Sequence, residues 1–213
     1  MAATAEARAG RAWWRALPVA LGMALLCAGF VDRPVAEYLY RKLYSTALFT
    51  WAQRLFPPLQ ALFAAWVLGA LGAAAWGLSG KRLPAWSRVA RLGALAAVGA
   101  LAVAIGLKHL LGRSDVYPTY LIQGIYTLRP LHGGAGYSGF PSATMATASA
   151  VLSVFWVERP ALRLLSLVAL GVIVLALLVS NSHWVSDILG GGCLGGSLGV
   201  LVLRRSAVRL PRG

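Results

Sequence analysis

Six apolar stretches separated by short polar segments limit what this chain can become more than any other feature. They cover roughly 13–31, 57–78, 89–107, 142–157, 161–179 and 187–203 of the 213 residues. About 20 apolar residues in a helix cross the ~30 Å hydrocarbon core of a bilayer. A β-barrel strand would alternate apolar and polar residues with period two, and these stretches do not. Charged residues make up only 12% of the chain, about half the share of a soluble domain. The expected fold class is all-α: a polytopic membrane protein with six transmembrane helices in a bundle, forming a single membrane domain over 1–213.

Basic residues orient such a bundle, because short cytoplasmic loops collect Lys and Arg. Arg8, Arg11 and Arg15 lie at the first stretch, and Lys81, Arg82, Arg88 and Arg91 before and within the third. Arg159 and Arg163 lie between the fourth and fifth, and Arg204, Arg205, Arg209 and Arg212 follow the sixth. These thirteen of the twenty basic residues fall on one side and seven on the other. That predicts a multi-pass inner-membrane protein with both termini cytoplasmic and the segments around 108–141 and 180–186 extracytoplasmic. The net charge of +14 is spread over loops and a short tail, so it predicts contact with anionic membrane lipids and no nucleic-acid partner. The first stretch resembles a signal peptide in charge, but the bulky Leu26 before Cys27 speaks for an uncleaved span. Cys27 and Cys193, in or beside apolar spans, read as packing residues, and no metal framework follows from two cysteines. Nothing in the sequence signals an oligomeric state.

The connector 32–56 carries aromatic and aliphatic residues on a mostly helical period, with Arg41, Lys42 and Arg54 interspersed. It predicts either an interfacial amphipathic helix closed by Pro57-Pro58 or a plain aromatic connector. Small residues recur every fourth position at Ala65, Gly69, Ala73 and Gly77, and again at Gly191, Gly195 and Gly199. In lipid such stripes let helix backbones approach closely. The stretch 108–141 is the longest polar interruption, and its Gly, Pro and Tyr content predicts an ordered outer loop over a site.

The few chemically capable residues sit at helix ends on that outer side. His183 and Asp187 are four apart at the start of the sixth stretch, a spacing that stacks two side chains on one helix face. An Asp accepting from one ring nitrogen would leave the other free as nucleophile or base. The same Asp also suits the positive end of the helix dipole as a cap. Ser142 opens the fourth stretch, where it serves either as N-cap or as part of a phosphate-binding helix N-terminus. Lys108 ends the third stretch, where a cation suits the dipole with or without a ligand.

Taken together, residues 108 to 187 resemble the type-2 phosphatidic acid phosphatase superfamily, membrane lipid phosphatases related to vanadium haloperoxidases. That family combines a Lys followed after six residues by Arg-Pro, then Pro-Ser-Gly-His, then Ser-Arg, five residues, His, three residues and Asp. Here Lys108 matches the first Lys, Pro141-Ser142 opens the second motif, and His183 and Asp187 complete the third. The chain has Asp115-Val116 in place of Arg-Pro, Ala143-Thr144 in place of Gly-His, and Ala176-Leu177 in place of Ser-Arg.

The resemblance implies a phosphatidic acid phosphatase/haloperoxidase-like core and a metal-free site that needs no cofactor. His183 would be the nucleophile and Asp187 its orienting carboxylate, with Lys108 and Ser142 on the phosphate and Arg113, two residues before the family's Arg position, replacing one lost phosphate-binding cation. The family's acid is replaced by Thr144, so His132 or His109 would have to supply a proton, and Arg129 would be an auxiliary cation. The implied substrate is a lipid phosphate or diphosphate, hydrolysed through phosphohistidine on the outer face. The alternative is a catalytically impaired relative that binds lipid phosphates or partner proteins. A transporter is disfavoured, because the spans lack the buried ionisable residues of a conduction path.

Overall fold

The computed structural model describes residues 2–78 and 86–208. Among these the chain is all-helical and no strand occurs. The helices are α1 (Ala2–Phe30), α2 (Asp32–Leu43), α3 (Ala47–Leu78), α4 (Trp86–Leu111), α5 (Ala143–Glu158), α6 (Arg163–Val179) and α7 (Val185–Val208). A π-helical turn at Val116–Tyr120 interrupts the long loop, and a 3-10 turn at Pro160–Leu162 precedes α6. Gly10–Phe30, Ser87–Leu111, Pro160–Val179 and Val185–Ser206 are long and apolar enough to cross a membrane, as a multi-pass membrane protein requires. The expected second and fourth spans coincide with α3 and α5, which are not among these four. α5 is apolar but has only 16 residues.

α5 and α7 form the central pair, with α4 and α1 packed on them. Glycines on α7 allow this contact. A Cβ on Gly195 would lie 2.0 Å from the Ala146 carbonyl oxygen, and one on Gly199 would lie 1.8 Å from Ser153 Oγ. The α7 stripe therefore packs as its spacing predicts, and lipid offers such close packing as the driving force. Ala96, Ala100 and Ala104 of α4 present a second small-residue stripe to Ala146, Ala150 and Val154 of α5. The stripe in α3 behaves differently, since Gly69 faces open space rather than a neighbouring backbone.

The connector also departs from expectation. α2 ends at Leu43, and Ser45 turns the chain with φ 63°. Thr46 Oγ1 then accepts from the Phe49 N–H at 3.3 Å, opening α3. α3 runs straight through Pro57 and Pro58, so the prolines do not close a helix. Each proline removes one N–H bond to the preceding turn, which so long an apolar helix absorbs.

The two ends of the bundle differ in chemistry. At one end Arg88 of α4 bridges Glu158 of α5 at 3.2 Å and Ser206 of α7 at 3.3 Å, and Arg204 lies against Gly10 of α1. The opposite end gathers the residues discussed next. Lys81, Arg82, Arg209 and Arg212, part of the sidedness expectation, lie outside the described residues.

Candidate functional site

α6 ends at Val179, and a tight turn leads into α7 at Val185. Asn181 takes φ 50° in this turn, a left-handed conformation that asparagine tolerates better than most residues. Trp184 locks the turn in place: its ring is 1% exposed, and its Nε1 donates to the Ser114 carbonyl at 2.9 Å. His183, beside it, keeps 15% of its side chain accessible. Its Nδ1 lies 3.1 Å from the Gly139 carbonyl oxygen. A carbonyl can only accept, so this contact places the proton on Nδ1 and leaves a lone pair on Nε2.

The direct hydrogen bond expected from His183 to Asp187 is not formed, because Nδ1 and Oδ2 are 3.6 Å apart. The fully buried Asp187 is committed elsewhere: its Oδ2 accepts from the Trp184 N–H at 3.1 Å and its Oδ1 from Arg113 at 2.6 Å. Asp187 thus caps the first turn of α7 while keeping its charge near the imidazole.

Arg113 does not take the position expected of a phosphate ligand. One terminal nitrogen donates to Ser186 Oγ and Asp187 Oδ1, both at 2.6 Å. The other donates to Asp32 Oδ2 at 2.6 Å and to the Tyr126 hydroxyl at 2.9 Å. The guanidinium lies 5.6 Å from the ring centroids of both Tyr126 and Trp184. Asp32, 1% exposed at the start of α2, also accepts from the Ser186 N–H at 2.9 Å. Two buried carboxylates flanking one guanidinium satisfy one another, so Arg113 ties the loop between α4 and α5 to α2 and α7 instead of facing a ligand. Asp32 was missed in the sequence because no motif contains it. The one hint was an acidic residue directly after an apolar run.

Lys108 is half-buried, and its ammonium donates to the Ser138 carbonyl. Ser138 and Gly139 are consecutive, so Lys108 and His183 are held on adjacent carbonyls of one loop segment. Asp115 accepts from the Ser138 N–H at 3.0 Å and lies near Lys108 and His183. Burial raises the Asp115 carboxyl above its ordinary value, against the lowering effect of the Ser138 bonds. Three of the chain's six acidic residues, Asp32, Asp115 and Asp187, therefore gather around Lys108 and Arg113.

Ser142 is fully buried as the N-cap of α5, its Oγ accepting from the Met145 N–H at 3.3 Å. Its own N–H donates to the Asp187 carbonyl at 3.1 Å, fastening the start of α5 beside that of α7. Thr144 sits half-buried in the first turn of α5 and carries no imidazole. His132 is exposed with its Nδ1 3.0 Å from the Pro130 carbonyl, and His109 is exposed near the end of α4. Arg129 is exposed and lies 4.5 Å over the Tyr137 ring. The described contacts thus join Lys108, Ser142, His183 and Asp187, and leave His132 and Arg129 at the surface.

One further residue stands out. Asn181 is 2% exposed, and its Nδ2 has no hydrogen-bond partner, although buried amides are normally satisfied. It lines a crevice of about 10 Å³ together with His183, Asp32, Leu178 and Val185. Among the described residues no cluster of three His, Cys, Asp or Glu is arranged to hold a metal. No protein-family model, curated protein or solved structure matches the chain.

Proposed function

We propose that this membrane protein acts on lipid phosphates or diphosphates at the outer end of a six-span bundle, with both termini cytoplasmic. The observation that carries the reading is the placement of His183: its Nδ1 lies 3.1 Å from the Gly139 carbonyl oxygen, so a neutral ring donating there presents its Nε2 lone pair. Nε2 would form a bond to phosphorus as the phosphorus–oxygen bond to the lipid breaks and the leaving oxygen takes the electron pair. Water would then attack the phosphohistidine, releasing phosphate and returning the lone pair to Nε2. The Asp187 carboxylate, 3.6 Å from Nδ1, would stabilise the positive imidazole of the intermediate. Lys108 and the unpaired N–H groups in the first turn of α5 are the donors available for phosphoryl oxygens.

A second reading, a relative that binds lipid phosphates without turning them over, is favoured by two observations. Arg113 is committed to Asp32 and Asp187, and position 144 offers no acid. Purified protein assayed for phosphate release from lipid mono- and diphosphates, beside His183→Ala, separates the two. Release lost in the variant supports hydrolysis, whereas binding without release supports the second reading. Labelling of Ala135→Cys by an impermeant thiol reagent in intact cells tests the sidedness, which protection of that cysteine would reverse.

A further inference from the structure

A groove of about 670 Å³ runs along the helical bundle, floored by α5 and α7 and walled by α1 and α6. Its lining is apolar, and two of its serines are turned back on their own helices. Ser153 donates to Ala150 at 2.9 Å and Ser166 to Leu162 at 2.9 Å. Along α7 the lining runs from Val185 to Val200, which at the helical rise is ~22 Å. Trp13 and Trp156 line it at the end away from His183. At the other end Leu178 and Val185 belong both to this groove and to the crevice holding His183 and the unpartnered Asn181 amide.

We infer that this groove binds a hydrocarbon chain of a membrane lipid whose polar head lies at the His183 end, beyond Leu178 and Val185. The inference rests on the phosphate reading of the His183 site for the nature of the head, and not for the chain. Three features select the occupant. The lining helices include spans long enough to cross the bilayer, so the surrounding medium is lipid. The groove offers about 670 Å³ along ~22 Å, and its lining is almost wholly apolar, as a hydrocarbon chain requires. A length of ~22 Å exceeds one leaflet of the ~30 Å core, so the groove suits a chain reaching past the midplane.

The test uses the whole protein in detergent and two probes: a long-chain alkyl phosphate with a diazirine at the chain terminus, and the alcohol of the same chain. The expected result is that the phosphate probe labels peptides carrying Trp13, Trp156 or Val200. Gly192→Leu should weaken labelling about tenfold, since displacing roughly two methylenes from the groove costs that much. A Cβ on Gly192 would lie at ordinary contact distance, 3.7 Å from Met145 and 3.8 Å from Ser149, so the helix accepts a side chain there. Val174→Trp, on the α6 wall, provides a second obstruction, and thermal melting of both variants checks folding. Alcohol labelling at the same peptides would keep the groove while removing the phosphate from the reading. Labelling spread over the lipid-facing helices, or unchanged by both folded variants, would overturn the groove whatever the phosphatase assay shows.

Discussion

Arg113 and Asp187 meet at 2.6 Å in a space closed to solvent, and the other terminal nitrogen of the same guanidinium meets Asp32 at 2.6 Å. A residue from the loop between α4 and α5 thereby joins the first connector to the start of the last helix. Removing it leaves two buried carboxylates uncompensated. Arg113→Ala should cost about 3–5 kcal/mol, read as a lowered unfolding temperature in detergent. Arg113→Lys should recover only part of that, because a point charge cannot bridge both acids. Unchanged stability with weakened phosphate binding would return Arg113 to a ligand role.

Position 144 is where the resemblance expects an acid and the chain has a threonine half-buried in the first turn of α5. A diphosphate lipid leaves as a phosphate monoester, which needs less protonation than the alkoxide of a monoester lipid. Hydrolysis should therefore favour diphosphates. Ala143→Gly with Thr144→His should raise monoester turnover by up to roughly 100-fold and diphosphate turnover less. A folded double variant inert on both substrate types would favour the binding-only reading.

Asp115 makes the site's pH response testable. Burial raises its carboxyl above the ordinary value, so the folded state holds this proton more tightly than the unfolded state does. The stability it contributes is complete below the unfolded value and is lost as pH rises through the folded one. Asp115→Asn removes that dependence. Relative to the parent chain, the variant should gain stability as pH rises above the ordinary aspartate value, measured by thermal unfolding across a pH series. A relative stability that falls with pH would show that Asp115 is held mainly by Ser138 and Lys108.

Two glycines in small-residue stripes should respond oppositely. Gly195→Ala drives a methyl to 2.0 Å from the Ala146 carbonyl, forcing α5 and α7 apart at a cost of at least about 1–3 kcal/mol. Gly69→Ala meets nothing within 4 Å, and alanine is the better helix former, so stability should hold or rise by up to about 1 kcal/mol. Melting curves of the two variants decide this.

Helices and their apolar character were legible in the sequence because lipid demands long, internally hydrogen-bonded runs, and composition records that demand residue by residue. Lys108, Ser142, His183 and Asp187 were legible too, as polar residues at the ends of such runs, and their contacts do converge. The sequence could not show which partners each would take, because the same side chain serves opposite roles according to what lies across from it. Arg113 became a structural tie only because folding set Asp32, 81 positions away, against its second nitrogen. Two stripes of equal spacing parted company for the same reason: Gly195 met a backbone and Gly69 met none. Asn181 and the groove beneath it belong wholly to the tertiary structure, since an unpaired amide and an empty volume exist only once the surrounding helices are in place.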